Sequence, residues 1–168
     1  MKELAINNCY MDSSLHKESR MMYGLYYPAI NIQQVEAYSL SYGKLIGHYV
    51  SPTPQNVIAY ITKGLCILSL IDVNPSSKTY QKIISFEWNE GDIVYIPPFV
   101  AYGWYCISNS ISIVLTMDKR NDNIEGIHYR SSGWNHFTIF NPDISERDDN
   151  FPMLDEYIKR RGNGNKNK

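Results

Sequence analysis

Histidines and cysteines are the residues of this chain that could hold a metal ion, but their spacing does not favour a metal site. An oxygenase or a metal-dependent isomerase needs two or three histidines and a carboxylate within reach of one ion. His48 has no second histidine two residues further on. The other three histidines, His16, His128 and His136, lie in segments that look like loops. We therefore expect no metal and no other cofactor.

The three cysteines favour a reducing compartment. Cys9, Cys66 and Cys106 are an odd number without metal-ligand spacing, and two of them lie in apolar runs typical of strands. Such residues are usually buried, reduced thiols. No segment approaches the ~20 apolar residues of a membrane helix, and the first residues contain no apolar run of signal-peptide length. We therefore expect a cytoplasmic protein that does not insert into a membrane.

Composition and charge limit the partners. The 168 residues are 43% hydrophobic and 20% charged, with a net charge of −1. This balance is typical of one globular domain with a sizeable core. Because no overall basic field attracts nucleic acid or anionic lipid, a small molecule or a second copy of the chain is the expected partner.

A proline corner within residues 90–117 is the clearest structural signal. A short apolar strand over residues 93–96 is followed by Pro97-Pro98, and residues 104–117 then alternate like a half-buried strand pair. Proline cannot donate a backbone hydrogen bond, so this pair ends a strand and fixes a turn. Corners of this kind often carry a small-molecule pocket.

Seven short strands separated by turn residues predict an all-β sandwich or jelly-roll barrel of antiparallel strands. The predicted strands cover residues 35–42, 44–50, 56–62, 65–73, 80–88, 93–96 and 111–117. A short C-terminal helix is expected over residues 152–161, because a proline stands near its start. Residues 1–158 are expected to form a single domain, and residues 159–168 a flexible basic tail.

Four segments resemble a known family. PDISERDDNFPMLDEY, residues 142–157, resembles the closing segment of the dTDP-4-dehydrorhamnose 3,5-epimerases, a Pro-x-Leu/Ile-Ser-x-Lys/Arg-Asp run followed by a Pro-Leu-Leu-like cluster. IPPFVAYGW, residues 96–104, resembles the family's Ile-Pro-x-Gly-Phe-Ala-His-Gly-Phe corner. LIGHY, residues 45–49, resembles its Arg-Gly-Leu-His-Phe strand more weakly, and ESRMMY, residues 18–23, is similar to Asp-x-Arg-Gly-x-Phe.

The resemblance implies a metal-free, cupin-type jelly roll, usually a homodimer. Its members epimerise a nucleotide-linked 4-keto-6-deoxyhexose, a thymidine diphosphate sugar, at carbons 3 and 5 for surface polysaccharide synthesis. His48 would then be the base that takes the proton next to the ketone, Asp148 would orient it, and Tyr102 would act as a substitute proton donor. Two alternatives stay open. Tyr49 could occupy the base position, because strand neighbours face opposite sides, and Asp148 could be a helix N-cap.

The resemblance also implies five substrate-binding residues, which are Arg20, Tyr23, Gln33, Trp104 and Arg147. The two arginines would bind phosphate or lie in solvent, and Tyr23 would stack on the nucleotide base or pack in the core. Gln33 competes with Gln34 for a nucleotide contact, and Trp104 would stack on the sugar or pack in the core.

Several positions depart from the family pattern. Apolar residues replace an arginine at Leu45, a lysine at Val57, an acidic residue at Leu68 and a tyrosine at Leu115 or Val114, and Tyr102 replaces the corner histidine. An apolar side chain can neither deliver a proton nor hold an enolate. Two alternatives to an epimerase therefore remain: an inert cupin that binds a nucleotide sugar, and a cupin with an unrelated small ligand.

Overall fold

Short β-strands make up most of the structure, a computed structural model that describes residues 2–6, 8–12, 31–120, 123–131, 134, 139 and 141–164. The strands are β1 (Lys2–Glu3), β2 (Tyr10–Asp12), β3 (Gln34–Ser41), β4 (Lys44–Val50), β5 (Val57–Lys63), β6 (Leu65–Asp72), β7 (Ile83–Asn89), β8 (Ile93–Ile96), β9 (Val100–Cys106), β10 (Ser110–Met117), β11 (Glu125–Ile127) and β12 (Asp143–Ile144). A 3-10 helix covers Tyr129–Ser131, and two helices, α1 (Glu146–Asp149) and α2 (Leu154–Gly164), follow the last strand.

The strands form two sheets that share one core. The first sheet has the order β1-β2-β8-β5-β10-β3 and the second β11-β4-β9-β6-β7, while β12 pairs in parallel with β4. The other pairings among the described strands are antiparallel. The prediction of antiparallel, all-β architecture with a short C-terminal helix is confirmed.

The proline corner joins the two sheets. β8 ends at Ile96 in the first sheet, and β9 begins at Val100 in the second. Between them, Phe99 has a left-handed φ of 63°, and its carbonyl accepts a hydrogen bond from the Val73 N–H at 2.9 Å. The predicted strand–corner–strand arrangement is confirmed, although the second strand starts before residue 104.

The strand predicted over residues 80–88 begins only at Ile83. The Thr79 hydroxyl donates to the Asp72 carboxylate at 2.6 Å, and Gln81 has a left-handed φ of 64°. These contacts keep the chain in a turn, because a left-handed residue cannot continue a strand.

The central strands of the second sheet, β4, β9 and β6, are buried on both faces. The sheet's inner face packs in the shared core, and its outer face is covered by two smaller apolar clusters. One outer cluster contains Tyr157 of α2, and the other contains Leu45 and Trp134. Burial on both faces explains why every residue of β9 is buried.

A β-bulge in β4 decides which side chains enter the barrel. Ile46 pairs with Trp104 and Tyr49 pairs with Tyr102, so three residues of β4 oppose two of β9. In a regular strand alternate residues share a face, so Ile46 and Tyr49, which are three residues apart, would face opposite sides. The extra residue of the bulge places both of them on the inner face. His48, next to Tyr49, is thereby turned to the outer face.

Gly103 lies opposite this bulge and permits it. A Cβ atom at this position would come within 2.7 Å of the Ile46 carbonyl oxygen and 3.0 Å of two Gly47 backbone atoms. Only a glycine lets the two backbones approach this closely.

The C-terminal helix starts at Leu154 and continues to Gly164, past the predicted domain boundary at residue 158. The prediction of buried, reduced cysteines is confirmed, because Cys9, Cys66 and Cys106 are all buried and free. Within the described ranges, no helix has the length and apolar character needed to cross a membrane.

Candidate active site

His48 is buried on the outer face of the second sheet and does not contact Asp148. Its side chain is fully buried, and its ring lies 5.6 Å from the Trp134 ring. Neither ring nitrogen has a hydrogen-bond partner among the described residues. Burial lowers the pKa of His48 to about 3, and the nearby backbone of Ile127 opposes this only in part. The imidazole is therefore neutral, and the expected His48–Asp148 contact is not formed.

Asp148 instead contacts Tyr49, at the inner face of β4. The Tyr49 hydroxyl donates to the two carboxylate oxygens of Asp148 at 2.9 and 3.1 Å, and the Gly47 N–H donates to the same group at 3.1 Å. Burial, followed by the negative charge of Asp148, raises the pKa of Tyr49. The phenol is therefore neutral and acts as a hydrogen-bond donor.

The short helix α1 holds Asp148 in place. Ser145 is the N-cap, and its hydroxyl accepts the Asp148 N–H at 3.1 Å. The capping role considered for Asp148 thus belongs to Ser145, and the Asp148 carboxylate is free to reach β4. Its side chain is only 1% exposed.

Arg147 completes a three-residue cluster with Tyr49 and Asp148. Its Nε donates to Asp148 at 3.0 Å, and its Nη2 donates to the Tyr49 hydroxyl. The guanidinium also lies 5.1 Å from the Tyr49 ring centroid. Because the Arg147 side chain is 69% exposed, the cluster joins a buried carboxylate to a cation that solvent reaches.

Glu36 and Tyr38 lie on the inner face of β3, in the opposite sheet. The Tyr38 hydroxyl donates to the Glu36 carboxylate at 2.5 Å, and the Gln34 side-chain amide donates to the same carboxylate at 2.6 Å. The Tyr38 ring meets the Trp104 ring edge-on at 5.4 Å, which connects the two sheets. We did not identify this pair from the sequence. The signal was available, because Glu36 alternates in register with Tyr38 and Leu40.

Trp104 and Tyr102 belong to the barrel core. Trp104 is fully buried and stacks with Tyr102 at 6.0 Å, which agrees with a packing role; sugar stacking by Trp104 stays a prediction. Burial and then the charge of Glu36 raise the pKa of Tyr102, so its phenol is neutral. Its proposed role as a proton donor also stays a prediction.

The nucleotide-binding residues are only partly described. Arg20 and Tyr23, like His16 and His136, lie outside the described residues. Gln33 is exposed just before β3, whereas its competitor Gln34 contacts Glu36.

Four of the apolar residues that replace polar residues of the family pattern are fully or almost fully buried. Val57, Leu68 and Leu115 pack in the shared core. Leu45 packs in the outer cluster with Trp134. None of these side chains can take part in proton transfer.

A pH titration should reveal the buried state of His48. The unfolded chain binds a proton at this residue near the ordinary pKa of 6.5, whereas the folded chain does so only near 3. Stability should therefore fall as the pH drops from about 6.5 toward 3. Between pH 7 and pH 5, wild type should lose about 2 kcal/mol more unfolding free energy than His48→Leu. Chemical denaturation at both pH values measures this, and equal losses would contradict the burial of a neutral imidazole.

The chain matches known proteins over most of its length. A sequence model of the dTDP-4-dehydrorhamnose 3,5-epimerase family matches residues 9–156. None of the curated protein sequences is significantly similar to the chain.

Solved structures show the same fold. A dTDP-4-dehydrorhamnose 3,5-epimerase from Elizabethkingia anophelis superposes with a TM-score of 0.68 at 19% identity, over 74% of each chain. The enzyme from Sulfolobus tokodaii has a TM-score of 0.60 at 26% identity, over 75% of this chain and 73% of that one. ChmJ, a 3'-monoepimerase from Streptomyces bikiniensis solved with dTDP, has a TM-score of 0.67 at 17% identity, over 79% and 70%.

These likenesses confirm the predicted cupin-type jelly roll. The sequence match covers well over half of the chain. The chain therefore belongs to the dTDP-4-dehydrorhamnose 3,5-epimerase family, which acts on nucleotide-linked sugars.

Proposed function

We propose that this protein binds a dTDP-linked 4-keto-6-deoxyhexose in its barrel and epimerises it next to the ketone, in surface polysaccharide biosynthesis. The hydrogen-bonded cluster of Tyr49, Asp148 and Arg147 is the observation that carries this proposal. It places a proton acceptor, a neutral donor and a cation together at the inner face of β4. Proton abstraction next to a ketone requires these three functions.

The cluster supports a proton relay. A free Tyr49 phenolate is not available, because burial and the charge of Asp148 raise the pKa of the phenol. The phenol oxygen can accept the proton from carbon while its own proton passes to Asp148. The C–H bond breaks, new O–H bonds form on Tyr49 and Asp148, and the negative charge moves from the carboxylate to the enolate oxygen. Arg147 would stabilise that charge.

A catalytically inert nucleotide-sugar binder is the second candidate. The apolar core residues Val57, Leu68 and Leu115 favour it, because the resemblance places polar catalytic groups at these positions. Such a protein would keep the ligand pocket and lose the reaction.

Deuterium exchange separates the two functions. We expect the protein, incubated with dTDP-4-keto-6-deoxyglucose in D2O, to incorporate deuterium at the carbons next to the ketone, as measured by mass spectrometry and NMR. Thermal stabilisation by dTDP without any exchange would reject the enzyme and support the binder, because a ligand that binds only the folded state raises its apparent stability.

The assembly and location follow from the same proposal. Solved neighbours were crystallised with dTDP-D-xylose and with dTDP-4-keto-L-rhamnose, which supports a thymidine diphosphate sugar as the ligand here. We also propose a homodimer, as in the family, and a cytoplasmic location, which the three free cysteines support.

A further inference from the structure

Inversion of a carbon centre needs proton transfer on two faces of the sugar. A base that removes and returns the proton on one side exchanges it with solvent but regenerates the starting configuration. An epimerase therefore requires a second group that approaches from the other side. The Tyr49 cluster supplies only one side.

Glu36 and Tyr38 have the same chemistry as Asp148 and Tyr49. In each pair a buried or half-buried tyrosine donates its hydroxyl proton to a carboxylate, at 2.5 Å for Tyr38 and 2.9 Å for Tyr49. Burial and hydrogen bonding to Glu36 raise the pKa of Tyr38, as burial and Asp148 raise that of Tyr49.

The two pairs belong to different sheets and face a common interior. Tyr38 lies on β3 of the first sheet and Tyr49 on β4 of the second. The Tyr38 ring packs edge-on against Trp104, and Trp104 stacks on Tyr102, which pairs with Tyr49 between β9 and β4. Because Glu36 and Tyr38 are only partly buried, a ligand in the barrel can reach them.

We propose that Glu36 and Tyr38 form a second proton-transfer pair that serves the opposite face of the sugar from Tyr49 and Asp148; this inference rests on the proposed function. The Tyr38 O–H bond breaks as the new C–H bond forms, and the Tyr38 oxygen then takes a proton from water, while the Glu36 carboxylate accepts the hydrogen bond that orients the hydroxyl. Asp148 gains a proton when the C–H bond breaks and releases it to water afterwards, which balances the proton that Tyr38 takes up.

Tyr38→Phe separates exchange from inversion. With dTDP-4-keto-6-deoxyglucose in D2O, the variant should form inverted product at least ~100-fold more slowly than wild type. Deuterium should still enter the substrate with its configuration retained, through Tyr49 and Asp148. NMR coupling constants report configuration, and mass spectrometry reports deuterium. Tyr42→Phe, which removes the hydroxyl of a 68% exposed tyrosine, is the matched control and should match wild type.

Each outcome has one interpretation. Inversion by Tyr38→Phe at the wild-type rate would overturn the inference and leave the proposed function intact. Loss of both exchange and inversion in a folded variant that still binds dTDP would overturn the division of labour between the pairs. Absence of exchange in wild type would reject the proposed function, and the inference with it. If Tyr38→Phe does not fold, Glu36→Gln gives the same test, since it removes the carboxylate that orients the Tyr38 hydroxyl.

Discussion

The Asp148→Asn variant is expected to incorporate deuterium into dTDP-4-keto-6-deoxyglucose at least ~100-fold more slowly than wild type. Asparagine has the shape of aspartate, and its carbonyl can still accept the Gly47 N–H and the Tyr49 hydroxyl that now bind the carboxylate. It cannot take the proton that Tyr49 must release. The variant should therefore remain folded and lose the reaction.

Asp155→Asn is the matched control. This aspartate on α2 is 77% exposed, and its ion pair with Lys159 is long, at 3.9 Å. Its exchange rate should equal that of wild type. Circular dichroism and thermal unfolding should show that both variants are folded. Exchange by Asp148→Asn within a few-fold of wild type would show that the carboxylate does not receive the proton.

Gly103→Ala is expected to lower the free energy of unfolding by about 3 kcal/mol and to reduce exchange as well. The added methyl group would lie 2.7 Å from the Ile46 carbonyl oxygen and 3.0 Å from Gly47, so backbone must move. That movement would disturb the bulge that turns Tyr49 toward the interior. Chemical denaturation measures the stability change, and the deuterium assay measures the functional one.

Gly162→Ala serves as the control for this substitution. No atom lies within 4 Å of the added carbon, and the residue is exposed on α2, where alanine favours helix over glycine by up to about 1 kcal/mol. Its stability should be unchanged or slightly higher. If Gly103→Ala behaved like Gly162→Ala, the close approach of β4 and β9 would not be needed for the fold.

The strands and the corner were predictable because their signals are local. Pro97 and Pro98 end one strand and begin a turn wherever they occur, and β4 and β8 have the predicted bounds. Such features depend on neighbours in the sequence, so a single sequence reveals them.

The direction of His48 was not predictable in this way. It depends on a bulge that Gly103 permits from a strand more than fifty residues away. A shift of one residue reverses every later side chain of the strand, so the choice between His48 and Tyr49 could not be made from alternation alone. The partner of Asp148 changed for the same reason. Glu36 escaped notice because a glutamate in an edge strand usually faces solvent.

The comparison of Tyr49→Phe with His48→Leu tests most directly whether Tyr49, and not His48, faces the reacting sugar. Both variants would be assayed for deuterium incorporation into dTDP-4-keto-6-deoxyglucose under the same conditions. We expect Tyr49→Phe to lose at least ~100-fold in rate and His48→Leu to stay within a few-fold of wild type. Full activity in Tyr49→Phe together with loss of activity in a folded His48→Leu would contradict this assignment.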